Sequence, residues 1–222
     1  GKKVDFYISN KRIDYTEAQL DRSIVSPEQI RLNLEEFKKS IYTDLFPERK
    51  VSWNYIPKTL IFAKDDHHAT EIVNIVKEVF GENFDDNIVP EKFVQKITYS
   101  AGDTDALIRE FRINKEFRIA VTVTLVATGT DVKPLEVVFF MRDVNSDVLY
   151  TQMKGRGCRV ISDDKLREVT PNATTKDCFY IVDAIGVTEH DKQIPKAGNG
   201  KGGQKNKTPK LEQLLEYLSH GY

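Results

Sequence analysis

"TLIFAKDDHHATEIVNIVKEVF" (Thr59 to Phe80) decides how this chain folds. Its first five residues, Thr59 to Ala63, are apolar or small, with no polar alternation. A short run of that kind reads as a strand covered on both faces. The acidic Asp65 and Asp66 follow, and then apolar residues recur at helical spacing as Ile72, Val73, Val76 and Val79. An aspartate ahead of such a run is a natural helix cap. Strand followed directly by helix is half of a βαβ unit.

The alternation continues downstream. "VQKITYS" reads as a second strand, "DTDALIREFR" as a second helix and "FRIAVTVTLV" as a third strand. "LEVVFFMR", "SDVLYTQMKGRG" and "CFYIVDAIG" then read as strand, helix and strand. The expected fold class is α/β, a mainly parallel sheet with helices on both faces. Ligands of such sheets gather at the carboxyl ends of the strands, where Lys64, Ser100, the "ATGTD" loop and the last of these helices begin.

Upstream, "SPEQIRLNLEEFKKSIYTDLF" (Ser26 to Phe46) reads as a helix. Ser26 is a cap, Pro27 suits the first helical position, and Ile30, Leu34, Phe37 and Ile41 form its apolar stripe. The expected organisation is a helical flank over 1–57 and an α/β lobe over 58–190. A flexible linker over 191–209 and a final amphipathic helix over 210–222 complete it. The linker, "DKQIPKAGNGKGGQKNKTP", is rich in Gly, Lys and Asn.

Composition excludes several classes. The 222 residues are 40% hydrophobic and 30% charged, the balance of a globular chain. A net charge of −1 leaves any nucleic-acid contact to a local patch. Two cysteines, Cys158 and Cys178, form no disulfide framework and no CxxC site, which points to a reducing cytoplasm. No apolar run reaches the length of a membrane span, so no membrane association is expected. The chain opens without Met in the middle of a pattern, as a piece of a longer protein would.

Candidate chemistry comes from a few stretches. The glycines at 198, 200, 202 and 203 follow no strand and lack the G-x-x-x-x-G-K-[ST] spacing, so they are linker and not a phosphate loop. "DDHH" (Asp65 to His68) offers metal-ligand residue types, but consecutive residues entering a helix diverge. It is read as a cap and a solvated first turn, with no metal site. The loop with Thr128, Gly129, Thr130 and Asp131 suits either phosphate contact or an ordinary turn. "TQMKGRGCR" (Thr151 to Arg159) is stronger. On a continuous helix Gln152, Arg156 and Arg159 would share one face. Gly155 and Gly157 would each cost about 1 kcal/mol there, tolerable if a ligand or backbone approaches closely. Arginine is suited to forked contact with phosphate, so terminal phosphates of a nucleotide are the expected guest.

Together these residues resemble the second motor lobe of superfamily-2 helicases and translocases, and within them the motor (R) subunit of type I restriction enzymes. "KTLIFAKDDHHATEIVNIV" resembles helicase motif IV. "ITYSAGDTDALIREFR" resembles the strand and helix before motif V. "RIAVTVTLVATGTDVKPLEVVFFMR" resembles motif V, with Gly129, Asp131 and Pro134 on its G-x-D-x-P pattern around one additional lysine position. "TQMKGRGCR" resembles motif VI. The likeness spans about residues 58–186. Thr124 stands where motif V usually has Asp, and Cys158 where motif VI usually has Thr.

The resemblance implies a RecA-like lobe of an ATP-dependent DNA translocase. ATP and Mg²⁺ would be held mainly by a first motor lobe elsewhere in the polypeptide, with Gly129, Asp131, Arg156 and Arg159 contributing from this side. Arg156, Arg159 and Gln152 occupy the catalytic positions of motif VI. Lys64, Ser100, Thr122 and Thr124, with Thr128, are the expected contacts to double-stranded DNA. The implied partners are that first lobe, a nuclease domain of the same polypeptide, and modification and specificity subunits. Two other functions share the pattern: the second lobe of another DNA or RNA helicase, and a nucleotide-independent interaction module. Taken alone, the chain is expected to neither hydrolyse ATP nor cleave DNA.

Overall fold

The computed structural model describes residues 26–98, 102–124, 131–144 and 147–185. The expected linker and terminal helix lie outside them, as do Ser100, Thr128 and Gly129.

Helix α1 (Pro27–Ser40) starts where the sequence places it. Ser26 accepts from the backbone N–H of Gln29 at 3.2 Å and Pro27 takes the first helical position. The helix buries Ile30, Leu34 and Phe37, then widens into a π-turn (Ile41–Leu45) that buries Ile41 and Leu45. Strand β1 (Lys58–Phe62) is buried at every residue. Helix α2 (Asp66–Gly81) is capped by Asp65, which accepts from the N–H of His68 at 2.8 Å. Next come β2 (Val94–Lys96), α3 (Thr104–Ile113), β3 (Ile119–Thr122) and β4 (Leu135–Phe140). After these come α4 (Asp147–Gly155), α5 (Asp163–Val169) and β5 (Tyr180–Asp183).

The five strands form one sheet in the order β2-β3-β1-β4-β5, and every pairing is parallel. Side-chain alternation splits the core into two layers. Ile61, Val121, Val137 and Phe139 face α1 and α2, with Phe37 tilted on Phe139 at 5.3 Å between centroids. Leu60, Phe62, Val138 and Phe140 face the opposite layer, which takes Ile108 and Phe111 of α3 and Met153 of α4. The helical flank before residue 58 thus shares a core with the sheet.

Helix α5 has no counterpart in the sequence reading. It is seven residues long within a polar stretch, too short for a clear periodic signal. Its end is held at the amino edge of the sheet by Arg118, which is fully buried. Arg118 donates to the carbonyls of Ile56 at 2.8 Å, Val169 at 2.8 Å and Lys115 at 3.1 Å, and to the hydroxyl of Thr170 at 2.9 Å. Beside it, Arg49 forks onto the buried carboxylate of Glu136, at 2.6 and 3.2 Å. A buried charge needs such partners, and here backbone carbonyls supply most of them. Among the described residues no helix is long and apolar enough to cross a membrane.

Candidate active-site half at the arginine turn

Strand β4 delivers the chain to α4, and α4 delivers it to the arginines. The helix stops at Gly155. Two short-range bonds tighten its end: Arg156 N–H to the Met153 carbonyl at 3.2 Å, and Gly157 N–H to that of Lys154 at 3.0 Å. Arg156 to Cys158 form a turn and Arg159 lies beyond it. The expectation of one helical face carrying Gln152, Arg156 and Arg159 is therefore corrected. Gln152 is on the helix, exposed; the two arginines are on the turn and the segment leaving it.

The turn explains one glycine of the pair. A Cβ on Gly157 would stand 2.1 Å from the ring of Phe179, so the aromatic side chain occupies the space a larger residue would need. A Cβ on Gly155 would meet nothing within 4 Å, so close approach does not account for that glycine.

The arginines also differ from each other. Arg156 is half-buried and lines a small cavity with Leu60, Ile97, Ile108, Phe111, Val132 and Leu135. Burial among these apolar groups lowers its guanidinium pKa, and the like charge of Arg159 lowers it further. Arg159 is exposed, and its Nε lies 3.4 Å from Oδ1 of Asp131. That spacing is an ion pair without hydrogen-bond geometry, and Oδ1 has no hydrogen-bond partner. Asp131 precedes β4, whose first residue Leu135 pairs with Lys58 at the start of β1. Contrary to expectation, then, the arginines do not stand at the carboxyl edge. Arg156 sits over the α3–α4 face of the sheet, and Arg159 beside the lead-in to β4. The physical reason is the course of α4, which starts at the carboxyl end of β4 and runs back along the sheet.

The carboxyl edge holds a separate group. Ala63 N–H bonds to the Thr122 carbonyl at 2.8 Å, which sets the ends of β1 and β3 side by side. Lys64 and Thr124 each lie two residues past the paired Phe62 and Thr122; Lys64 is exposed and Thr124 half-exposed. Thr122 is buried, and its hydroxyl donates to the Ile97 carbonyl at 2.7 Å. It is withdrawn from the expected surface contacts, because an enclosed hydroxyl already bonded inside the fold cannot meet a phosphate. His68 is not part of a solvated turn either: it is buried, and its Nδ1 accepts from the N–H of Lys64 at 3.1 Å. Burial lowers its pKa, the direction that favours the neutral imidazole. Asp66 instead binds Lys96 at 2.8 Å and Thr98 at 2.6 Å.

Sequence reasoning missed Lys176. It stands between α5 and β5, half-buried, and its ammonium donates to the carbonyls of Lys133 at 2.8 Å and Arg159 at 2.7 Å. Desolvation pushes its pKa down to about 8. A lone lysine in a polar loop carries no sequence signal of this kind.

No protein-family model matches the chain. Over 137 residues, 59% of its length, it is 31% identical to the type I restriction enzyme EcoKI endonuclease subunit of Escherichia coli K12. Over that stretch the chain is similar to a type I restriction-enzyme endonuclease subunit. It spans about 10% of the length of that curated relative. A solved fragment assigned as an HsdR subunit of a type I restriction enzyme from Vibrio vulnificus superposes with a TM-score of 0.57 at 20% identity. The match covers 79% of this chain and 30% of that one. A DEAD-box helicase domain 2 bound to an RNA duplex gives a TM-score of 0.48 at 18% identity, over 71% of this chain and 50% of that one. The parallel sheet with helices on both faces is RecA-like, as the restriction-enzyme resemblance implied.

Proposed function

We propose that this chain is the second motor lobe of an ATP-dependent DNA translocase within a type I restriction enzyme, completing an ATP site built mainly by a first lobe. The observation that carries the reading is the arginine turn. One guanidinium stands on a glycine-containing turn, backed by an apolar cavity; the other, just past the turn, is exposed and loosely paired with Asp131. Such groups fit the outer oxygens of a polyphosphate. When bound, ATP with Mg²⁺ supplies the transferable phosphoryl group.

The residues of this lobe have separable parts in that reading. Arg159, exposed, presents its planar fork across the interface and stabilises charge developing in phosphoryl transfer. Arg156 is set among the apolar residues that line the cavity beside it. Asp131 holds Arg159 in the open lobe through a contact that a phosphate can displace. Gln152 lies a turn earlier on α4 and orients groups beside the arginines. Lys64 and Thr124, with Ser100 and Thr128, contact DNA phosphates from the carboxyl edge, a sequence-independent and salt-sensitive mode. Modification and specificity subunits and a nuclease domain are the partners this assignment entails.

The test is DNA-stimulated ATP turnover by a two-lobed motor carrying this lobe. Arg159→Ala should lower turnover on the order of 10³-fold or more while circular dichroism stays unchanged. Arg156→Lys should be damaged nearly as much as Arg156→Ala, since a point charge does not replace a planar fork. ATP affinity should fall less than turnover. Wild-type turnover in both alanine variants would reduce the turn to a basic surface feature.

A further inference from the structure

Two contacts of the arginine segment lead to the lead-in to β4. One is the side-chain pair of Arg159 with Asp131. The other runs through the backbone. The Lys176 ammonium reaches the Lys133 carbonyl at 2.8 Å and the Arg159 carbonyl at 2.7 Å, bridging two segments that are otherwise distant in sequence. Those segments carry the motif V and motif VI resemblances. We propose that Lys176 is a positioning residue for Arg159: it clamps the arginine segment to the Asp131–Lys133 segment, so that the two move as one unit when the lobes close.

Three observations support the clamp. Lys176 is half-buried, and both of its bonds have the short length of charge-assisted contacts, 2.8 and 2.7 Å. Both acceptors are backbone carbonyls, so the clamp constrains the path of the chain rather than one rotamer. The residue after the clamped carbonyl, Val160, is 83% exposed and makes no apolar anchor of its own. The ammonium therefore replaces packing as the restraint on this stretch. The positioning role rests on the motor-lobe reading; the clamp itself does not.

The experiment has two arms. In the 222-residue chain, Lys176→Met keeps the apolar stem and removes the donors, and Lys176→Arg keeps charge and donors. Hydrogen–deuterium exchange of peptides covering 131–135 and 156–162 should speed up by about tenfold in Lys176→Met and stay near wild type in Lys176→Arg. Unchanged exchange in Lys176→Met overturns the clamp, whatever the protein does. In a two-lobed motor, Lys176→Met should lower kcat for ATP on the order of tenfold to a hundredfold with little change in KM, and Lys176→Arg should restore most of it. Arg159→Ala is measured beside them. If it cripples turnover while Lys176→Met does not, the positioning role is wrong and the motor reading stands. If Arg159→Ala has no effect, the positioning role falls; if Arg156→Ala has none either, the motor reading fails with it.

Discussion

Arg159 and Asp131 face each other across the gap between the arginine turn and the lead-in to β4, with Nε 3.4 Å from Oδ1. Their side chains are 59% and 39% exposed. The restriction-enzyme resemblance assigns both to a nucleotide, yet in this lobe they meet each other. Although Oδ1 itself is covered, side chains this exposed make a pair worth about 0–1 kcal/mol, weak enough for a phosphate to displace. Asp131→Asn should therefore change unfolding free energy by less than about 1 kcal/mol, and salt should erase what difference there is. Urea melts of both chains at low and high ionic strength measure this. A loss of several kcal/mol would make Asp131 a structural residue instead.

The two glycines of the turn should separate cleanly. Gly157→Ala places a Cβ 2.1 Å from the Phe179 ring and should cost about 1–3 kcal/mol through forced repacking. Gly155→Ala meets open space at a helix end and should be neutral or stabilising by up to about 1 kcal/mol. Thermal melts of the single variants decide it, and equal effects would contradict the packing account.

The hydroxyls at the end of β3 should part in the same way. Thr122→Val removes a buried donor to the Ile97 carbonyl and should lower stability by about 1–2 kcal/mol, without altering the salt dependence of DNA binding. Lys64→Ala combined with Thr124→Ala should leave stability nearly intact and reduce the slope of log affinity against log salt in a motor carrying the lobe. A changed slope in Thr122→Val alone would reopen its role at the surface.

Lys176 also makes a prediction about pH. Its folded pKa, about 8, lies below the free-lysine value of 10.5. Between those values the unfolded chain carries a proton that the folded chain has released. Stability contributed by this group therefore rises with pH across that interval and is lost as pH falls through about 8. Burial gives Lys58 the same direction, so the comparison must be with Lys176→Met, in which only the one group is removed. Unfolding free energies from pH 7 to 10 should shift in favour of the wild type as pH rises. Parallel curves would show that Lys176 is not desolvated in the folded chain.

Most of the element order was legible without coordinates, because strand and cap signals are local. The apolar runs of β1 and β4, the Ser26 and Asp65 caps and the apolar stripes of α1 and α2 all follow from neighbouring residues, and each formed close to where it was read. The parallel sheet followed from strands too apolar to have a wet face. The short α5 was not legible, since seven residues carry barely two turns and Arg118, which holds its end, comes from another part of the chain.

The sequence by itself determined which residues are chemically exceptional: the paired arginines, the glycines around them and the capped βα units. Only the tertiary structure decided where they stand. The end of α4 at Gly155 moved the arginines off a common helical face, and the return of that helix along the sheet took them away from the carboxyl edge. Enclosure beneath the sheet's end turned Thr122 from a surface hydroxyl into an internal donor. The Lys176 bridge joins Lys133 to Arg159, partners 43 and 17 residues away in the chain. Contacts of that range depend on how helices cross and strands stack, and nothing in the local spacing of residues encodes them.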